Sequence, residues 1–148
     1  TIWLILCAVC FGATMTAGGM TAGITRMFIS FAKGRVSTVT STVASGLLLN
    51  ATVADQYICI LLSGNVFRNI YEKHNLEARL LSRTTEDAVT VTSVLVPWNS
   101  CGMTQSTVLG VSTLTYLPYC FFNIISPFMS IIMAMIGFRI MPRKKENE

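Results

Sequence analysis

Two short polar segments interrupt the most apolar parts of this sequence, and both carry side-chain oxygens that suit a hard cation. The first segment is Asn50–Asp55, and the second is Pro97–Gly102. Proline cannot donate a backbone hydrogen bond and glycine loosens the chain, so we expect unwound backbone between Pro97 and Gly102. Unwound backbone inside a membrane is tolerated where it is buried in protein or lines a cavity, and ions bind at such places in secondary transporters. The two segments therefore predict one shared ion site.

Asp55 is the one carboxylate within these two segments. An aspartate at the centre of a membrane helix costs about 2.5 to 3.5 kcal/mol on insertion scales, and such a residue usually serves an ion, a proton or a salt-bridge partner. The carboxylate could instead cap a helix by accepting a backbone N–H, and the two roles are compatible. We predict a sodium ion held by Asp55, Asn50 and Asn99, with Thr52 and Ser100 as further oxygen ligands.

Glu86 and Asp87 stand directly before residues 88–138, a run that contains no charged side chain. Acidic residues in the first turn of a helix complement its dipole, which is a purely structural role. As a pair at the cytoplasmic mouth of a transporter, they could also receive cations or protons. Both interpretations of this pair remain open at the level of the sequence.

The composition is that of a membrane protein. The charged fraction of 12% is about half of the quarter that soluble domains usually contain. The net charge of +4 is dispersed over separate basic groups, so we expect no nucleic-acid partner. The five cysteines are odd in number and lie in apolar sequence, which argues against a disulfide framework. Cys7 and Cys10 have a metal-ligand spacing, but no second pair or nearby histidine would complete a zinc site.

These features predict an all-α integral membrane bundle in the cell membrane, with several crossings. Residues 1–142 would form the membrane portion, with spanning helices over about 1–24, 87–112 and 117–138, the second of them discontinuous. Residues 36–67 are too short for two full crossings, so we favour a re-entrant hairpin with its tip at Asn50–Asp55 over a single crossing. Residues 143–148 would be a cytoplasmic tail.

The basic residues support this threading, because they fall into three groups that would all lie on the cytoplasmic side. The chain begins directly inside an apolar stretch, with no basic region of a signal peptide before it, so we expect it to be a piece of a longer protein. The three groups are Arg26, Lys33 and Arg35; Arg68, Lys73, Arg79 and Arg83; and Arg139, Arg143, Lys144 and Lys145.

Two stretches together resemble the NhaC-type sodium/proton antiporter family of the ion-transporter superfamily. They are Asn50–Tyr57, with the sequence NATVADQY, and Ser82–Gly102, with the sequence SRTTEDAVTVTSVLVPWNSCG. Leu117–Tyr119 and Phe121–Asn123 are also similar, so the resemblance covers most of residues 19–138. It implies a many-helix transporter of which this chain is the C-terminal portion. Family members exchange sodium for protons, and some exchange sodium and a dicarboxylate for a proton and a monocarboxylate.

The leading hypothesis is therefore sodium/proton antiport, in which sodium and a proton compete for the carboxylate of Asp55. Sodium would be the transported ligand, with no other cofactor. The partners would be the lipid bilayer, the missing N-terminal portion of the transporter and, in a second hypothesis, small organic acids bound at the unwound Asn99–Gly102 backbone. An intramembrane enzyme is disfavoured, because no buried histidine accompanies Ser100 or Cys101 as a base. A membrane fragment or accessory subunit without transport activity is the remaining alternative.

Overall fold

The fold is predominantly helical within residues 2–32 and 34–137, which are the residues that this computed structural model describes. Lys33, the third basic group and the predicted tail at 143–148 lie outside the described residues. The helices are α1 (Ile2–Ala17), α2 (Met20–Phe31), α3 (Arg35–Thr52), α4 (Gln56–Lys73), α5 (Ala78–Thr85), α6 (Ser100–Leu109), α7 (Thr113–Tyr116) and α8 (Phe121–Ile136). A π-helical turn (Glu86–Thr90) continues α5, and two 3₁₀ turns occupy Ser93–Leu95 and Leu117–Tyr119.

The first predicted span is wrong as a single helix, because residues 1–24 contain a break between α1 and α2. α1 ends at Ala17, and Gly19 adopts a left-handed backbone with φ of 70°. Glycine reaches that conformation without the penalty that a Cβ atom would impose. Gly12 of α1 lies against the residue that follows α3: a Cβ at Gly12 would be in ordinary van der Waals contact with the backbone of Val53, at 3.6 Å.

α3 and α4 form an antiparallel hairpin that turns at residues 53–55. Tyr71, late in α4, donates its hydroxyl to Thr42 in the first half of α3 at 3.3 Å. At the other end, Leu49 and Cys59 share a buried cluster. The turn lies within the predicted tip at Asn50–Asp55, although Asn50–Thr52 still belong to α3. Whether it enters and leaves a bilayer on the same side stays a prediction.

The π-helical turn packs against both helices of this hairpin, and α3 has a glycine, Gly46, at the contact. A Cβ on Gly46 would lie 2.9 Å from the Val89 side chain and 3.2 Å from the Cβ of Ala88. Both Ala88 and Val89 are fully buried. α8 then packs against α3 and the π-helical turn. The interior is thus built around α3 and α4, with α2, α5, the π-helical turn and α8 packed against them.

No single described helix combines the length and the apolar character needed to cross a membrane alone. One pair, Thr113–Tyr119 and Phe121–Ile136, meets that condition together and is bent by 59°. Residues 87–112 are discontinuous: the backbone is extended at Val96, and α6 begins at Ser100. The turn between the second and third predicted spans falls at Gly110, which has φ of 68°.

Candidate functional site

The two interrupted segments meet through a pair of buried asparagines. The side-chain N–H of Asn99 donates to the side-chain oxygen of Asn50 at 3.0 Å. Asn50 is 1% exposed and Asn99 is fully buried. Asn50 lies in the last turn of α3, whereas Asn99 immediately precedes α6. The contact therefore joins the end of one helix to the start of another across 49 residues of sequence.

Asn99 stands here because it caps α6. Its side-chain oxygen accepts the backbone N–H of Cys101 at 3.1 Å, which is the usual role of asparagine at this position. The backbone N–H of Ser100 has a different partner, the carbonyl of Ala54, at 2.9 Å. The positive end of the α6 dipole consequently docks onto the carbonyls that follow α3, and the two helix ends complement each other electrostatically.

The contact between Asn50 and Asn99, where α3 and α6 meet, is called the asparagine junction below. Asn50 also connects this junction to the π-helical turn. Its side-chain N–H groups donate to the carbonyl of Val89 at 2.8 Å and to the hydroxyl of Thr92 at 3.0 Å. Trp98, which is half exposed, closes the junction from the outside by donating its indole N–H to the carbonyl of Ala51 at 2.8 Å. Together with the bond from Asn99, these contacts use both N–H donors of the Asn50 side chain and one of the two lone pairs of its oxygen.

Gln56 belongs to the same junction, although the sequence argument did not single it out. Its side-chain oxygen accepts the hydroxyl of Ser93 at 2.9 Å and the thiol of Cys101 at 2.6 Å. The available signal was its position, because Gln56 is an amide directly after Asp55 in apolar sequence. Gln56 thereby links the start of α4 to both sides of the break.

The unwound stretch near Pro97 is shorter than the predicted Pro97–Gly102. It ends at Asn99, because the cap allows α6 to begin at Ser100. Gly102 lies inside α6 and serves a close contact instead: a Cβ there would lie 2.1 Å from the carbonyl oxygen of Val96. No side chain larger than hydrogen fits that gap without backbone movement.

Asp55 and Thr52 lie beside the asparagine pair, but their hydrogen bonds go to their own segment. The Asp55 carboxylate accepts the backbone N–H groups of Tyr57 at 2.8 Å and Ile58 at 3.1 Å, and so caps α4. Thr52 donates its hydroxyl to the carbonyl of Leu48 at 2.9 Å. The structure thus brings Asn50, Asn99 and Ser100 together, and it places Asp55 one residue away from the Ala54 carbonyl that contacts Ser100.

The acidic pair Glu86 and Asp87 diverges. Glu86 is exposed and lines a cleft of about 390 Å³, together with Thr85 and Thr90. Asp87 points toward α8, where its carboxylate accepts the hydroxyls of Ser126 and Ser130. Successive residues of a helix project in different directions, so the two carboxylates reach different neighbours.

The polar side chains around the Asn50–Asn99 contact and at Asp87 present mainly amide, hydroxyl and carboxylate oxygens. Such oxygens suit an alkali cation. Throughout residues 2–32 and 34–137, no three His, Cys, Asp or Glu side chains come together in a way that could hold a transition metal. The free cysteines include Cys7 and Cys10, both exposed.

Comparisons with known proteins find relatives that are named as antiporters. The arginine/ornithine antiporter ArcD of Halobacterium salinarum is 36% identical over 99% of this chain and 31% of its own length. The Na(+)/H(+) antiporter NhaC of Alkalihalophilus pseudofirmus is 33% identical over 93% of the chain and 30% of its length. The malate-2H(+)/Na(+)-lactate antiporter of Bacillus subtilis is 32% identical over 66% of the chain and 21% of its length.

The chain therefore spans about three-tenths of the length of the first two relatives. No solved structure matches it. All three relatives are named as antiporters. The sequence profile of the Na+/H+ antiporter family matches residues 1–138. The chain belongs to the Na+/H+ antiporter family.

Proposed function

We propose that this chain is part of a multi-pass sodium/proton antiporter in the cell membrane, and that sodium binds where α3 and α6 meet. The observation that carries the proposal is the buried hydrogen bond between Asn50 and Asn99, at 3.0 Å. It brings two interrupted helices to one point, which is the arrangement that secondary transporters use for ions. The rest of the transporter would be supplied by further chain, since the relatives are about three times longer.

The junction offers oxygen ligands from side chains and from the backbone. The side-chain oxygens of Asn50, Asn99 and Ser100 lie at the meeting point, and the carbonyl of Ala54 is within hydrogen-bond distance of the Ser100 N–H. A hard cation accepts such neutral oxygens as readily as water, and unwound helix ends leave carbonyls available. Thr52 would contribute its hydroxyl after a rotation away from Leu48.

Asp55 would supply the charge that makes the site an exchange site. Its carboxylate faces the α4 N-terminus, where it accepts two backbone N–H groups. In the proposed cycle, sodium binding displaces the proton from this carboxylate, and protonation on the other side releases sodium. Glu86, exposed at the rim of its cleft, would receive cations before they reach the junction.

A second candidate function is the exchange of small organic ions, and the names of two relatives favour it. In that case the unwound backbone before α6 would bind a carboxylate group, because a helix N-terminus attracts anions. Counterflow of labelled malate or arginine in vesicles, without any requirement for a proton gradient, would favour this alternative.

The junction is tested with Asn99→Ala in the full-length transporter, reconstituted in vesicles. The change removes a ligand and the α6 cap, so the sodium concentration that gives half-maximal proton flux should rise about tenfold or more, since tenfold corresponds to a loss of about 1.4 kcal/mol in binding. Asn69→Ala, at an exposed position of α4, is the matched control and should leave the flux unchanged. Unchanged sodium dependence in an Asn99→Ala protein that inserts normally would refute the junction as a sodium site.

The role of Asp55 is tested with Asp55→Asn. Asparagine is as good as aspartate at a helix N-cap, so stability should change by only a few tenths of a kcal/mol, or less. Sodium-driven proton flux should nevertheless collapse, because the titratable group is gone. Asp55→Glu should keep part of the exchange with altered sodium dependence. Near-normal flux in the Asn variant would show that Asp55 is only a cap.

A further inference from the structure

We propose that Asp87, Ser126 and Ser130 form a second cation site, which holds either a sodium ion or a proton. This inference rests on the proposed sodium/proton exchange and assigns it another titratable group. Asp87 is the second residue of the π-helical turn, and its side chain is 25% exposed. π-Helical turns inside α-helices occur frequently at functional sites.

Both oxygens of the Asp87 carboxylate contact α8. One accepts the hydroxyl of Ser126 at 3.2 Å, and the other accepts the hydroxyl of Ser130. The two serines are spaced by four residues and therefore lie on one face of α8. They are 9% and 8% exposed, so the oxygens that meet Asp87 are largely shielded from the surroundings.

α8 is otherwise an apolar helix, and its polar side chains are confined to this face. Its exposed residues are large and hydrophobic, among them Phe122, Phe128 and Met135. The third polar residue, Asn123, lies one turn before Ser126 and donates to the carbonyl of Val91 at 2.6 Å. The helix thus presents an amide and two hydroxyls to the segment that carries Asp87.

Little charge compensates Asp87. Arg83, one turn earlier, holds its Nε 3.9 Å from the carboxylate, and its side chain is 49% exposed. An exposed ion pair of this kind contributes little. α8 contains no charged residue over Phe121–Ile136, and α3 contains only Arg35 at its start. Glu86 is the first residue of the same turn, and the other charged residues of the helices packed against it are Arg79 on α5 and Arg68, Glu72 and Lys73 on α4.

The two hydroxyls suit a site that alternates between ligands. A serine hydroxyl has one donor and two acceptor lone pairs, and its hydrogen rotates freely. Without a bound cation, both hydroxyls donate to the carboxylate, as observed. With sodium bound, each hydroxyl could donate to the carbonyl one turn earlier in α8, a common bond of membrane helices, and turn its lone pairs to the ion. With a proton bound, the carboxylic acid would donate to one serine.

An opening beside α8 lies between the neighbours of the proposed site and the asparagine junction. Asn123 and Asn50 line one opening of about 210 Å³, together with Thr92. Thr92 accepts from Asn50 at 3.0 Å, and it follows Val91, whose carbonyl accepts from Asn123. The rest of this opening is lined by apolar residues such as Leu47, Leu95 and Phe128, so the oxygens of the proposed site and of the asparagine junction form two separate polar places.

Proton release on sodium addition tests the site without measuring transport. The purified full-length transporter, in weakly buffered detergent solution with a pH dye, should release protons when sodium chloride is added and choline chloride is the reference. Asp87→Asn should lower the released amount by about half or more, although it preserves size and hydrogen bonding. Unchanged release in Asp87→Asn would overturn the second site.

The serines provide a variant that keeps the carboxylate. Ser126→Ala combined with Ser130→Ala should weaken sodium binding about tenfold, equivalent to about 1.4 kcal/mol, while protons are still released at saturating sodium. Ser106→Ala, on α6, is the matched control and should bind sodium normally. Wild-type sodium affinity in the double serine variant would overturn the proposal even if Asp87→Asn failed to fold.

Asp55→Asn separates this inference from the proposed function. Release that falls in both aspartate variants supports two sites. Release that falls only in Asp55→Asn overturns the second site and leaves the proposed function standing. Release that falls only in Asp87→Asn supports the second site and removes Asp55 from the exchange. Sodium binding without proton release from the wild-type protein would overturn both.

Discussion

The asparagine junction and the Asp87 contact with α8 are two polar places in one helical bundle. They differ in charge and in how freely the hydrogen-bonding groups around them can rotate. Asn50 and Asn99 are neutral, at most 1% exposed, and held by amide and backbone hydrogen bonds. Asp87 carries a charge, is 25% exposed on its side chain, and is held by two serine hydroxyls. A buried neutral amide pair can coordinate an ion but cannot exchange it for a proton. A carboxylate with rotatable hydroxyls can do both.

This difference indicates how sodium and protons would be separated within the protein. The junction has a fixed arrangement of donors and acceptors, since each amide has a defined oxygen and nitrogen side. It would therefore select an ion by geometry. The titratable groups, Asp55 beside the junction and Asp87 on the π-helical turn, would make occupation depend on pH. Three substitutions at the junction test this difference between the two polar places.

Gly102→Ala should have the largest effect, because it attacks the geometry of the junction directly. The new Cβ would lie 2.1 Å from the Val96 carbonyl, and a backbone atom cannot rotate away. Overpacking usually costs about 1–3 kcal/mol, and we expect this case at or above the upper end. Thermal unfolding of the purified protein, followed with sodium-driven flux, measures it.

The control for this substitution is Gly23→Ala in α2, where a Cβ would meet nothing within 4 Å. Alanine is the better helix former, so this variant should be as stable as the parent or slightly more so. If both glycine variants behave alike, the tight approach of Val96 to α6 does not hold the junction.

Asn50→Asp should convert the neutral junction into a titrating one. The second oxygen of the new carboxylate would replace an N–H donor and face the carbonyl of Val89, which is a costly arrangement in a buried place, so the variant should be less stable than the parent in the absence of sodium. Sodium should restore stability at high pH, where the new group is ionised, and much less at low pH, where it is protonated. Melting temperatures with sodium or choline chloride at both pH values test this. The absence of any sodium effect at high pH would argue against an ion at the junction.

Gln56→Ala should have the smallest effect. It removes the acceptor for Ser93 and Cys101, and the loss of a typical hydrogen bond costs about 0.5–1.5 kcal/mol. The Asn50–Asn99 contact stays in place, so half-maximal sodium should change by less than about threefold, equivalent to about 0.6 kcal/mol. A larger shift would place Gln56 among the sodium ligands and extend the junction toward α4.

The positions of the helix breaks could be predicted from nearby residues, but the number of residues in each break could not. Pro97 and the capping side chains of Asp55 and Asn99 determine where backbone hydrogen bonding changes, and the breaks lie at those places. The predicted helix over residues 1–24 was wrong, because its apolar composition concealed a glycine with positive φ. Gly102 was taken as a loosening residue, whereas its role is a contact with Val96 that no local pattern encodes.

The side-chain partners were less predictable than the segments. Ser126 and Ser130 lie in an apolar run, where serine usually bonds to its own helix, so sequence alone did not distinguish them. Glu86 and Asp87 formed one pair in the sequence, and packing of the π-helical turn against α8 sends Asp87 alone to the two serines.

Three features could be predicted from the sequence: the apolar, membrane-type composition, the two polar interruptions and the residues that cap the helices beside them. They depend on side-chain polarity and on backbone chemistry within a few residues. Only the tertiary structure decided that Asn50 and Asn99 touch across 49 residues and that Asp87 faces α8 across about 40. Such contacts follow from how whole helices pack, through close approaches at Gly46 and Gly102, and not from any local pattern.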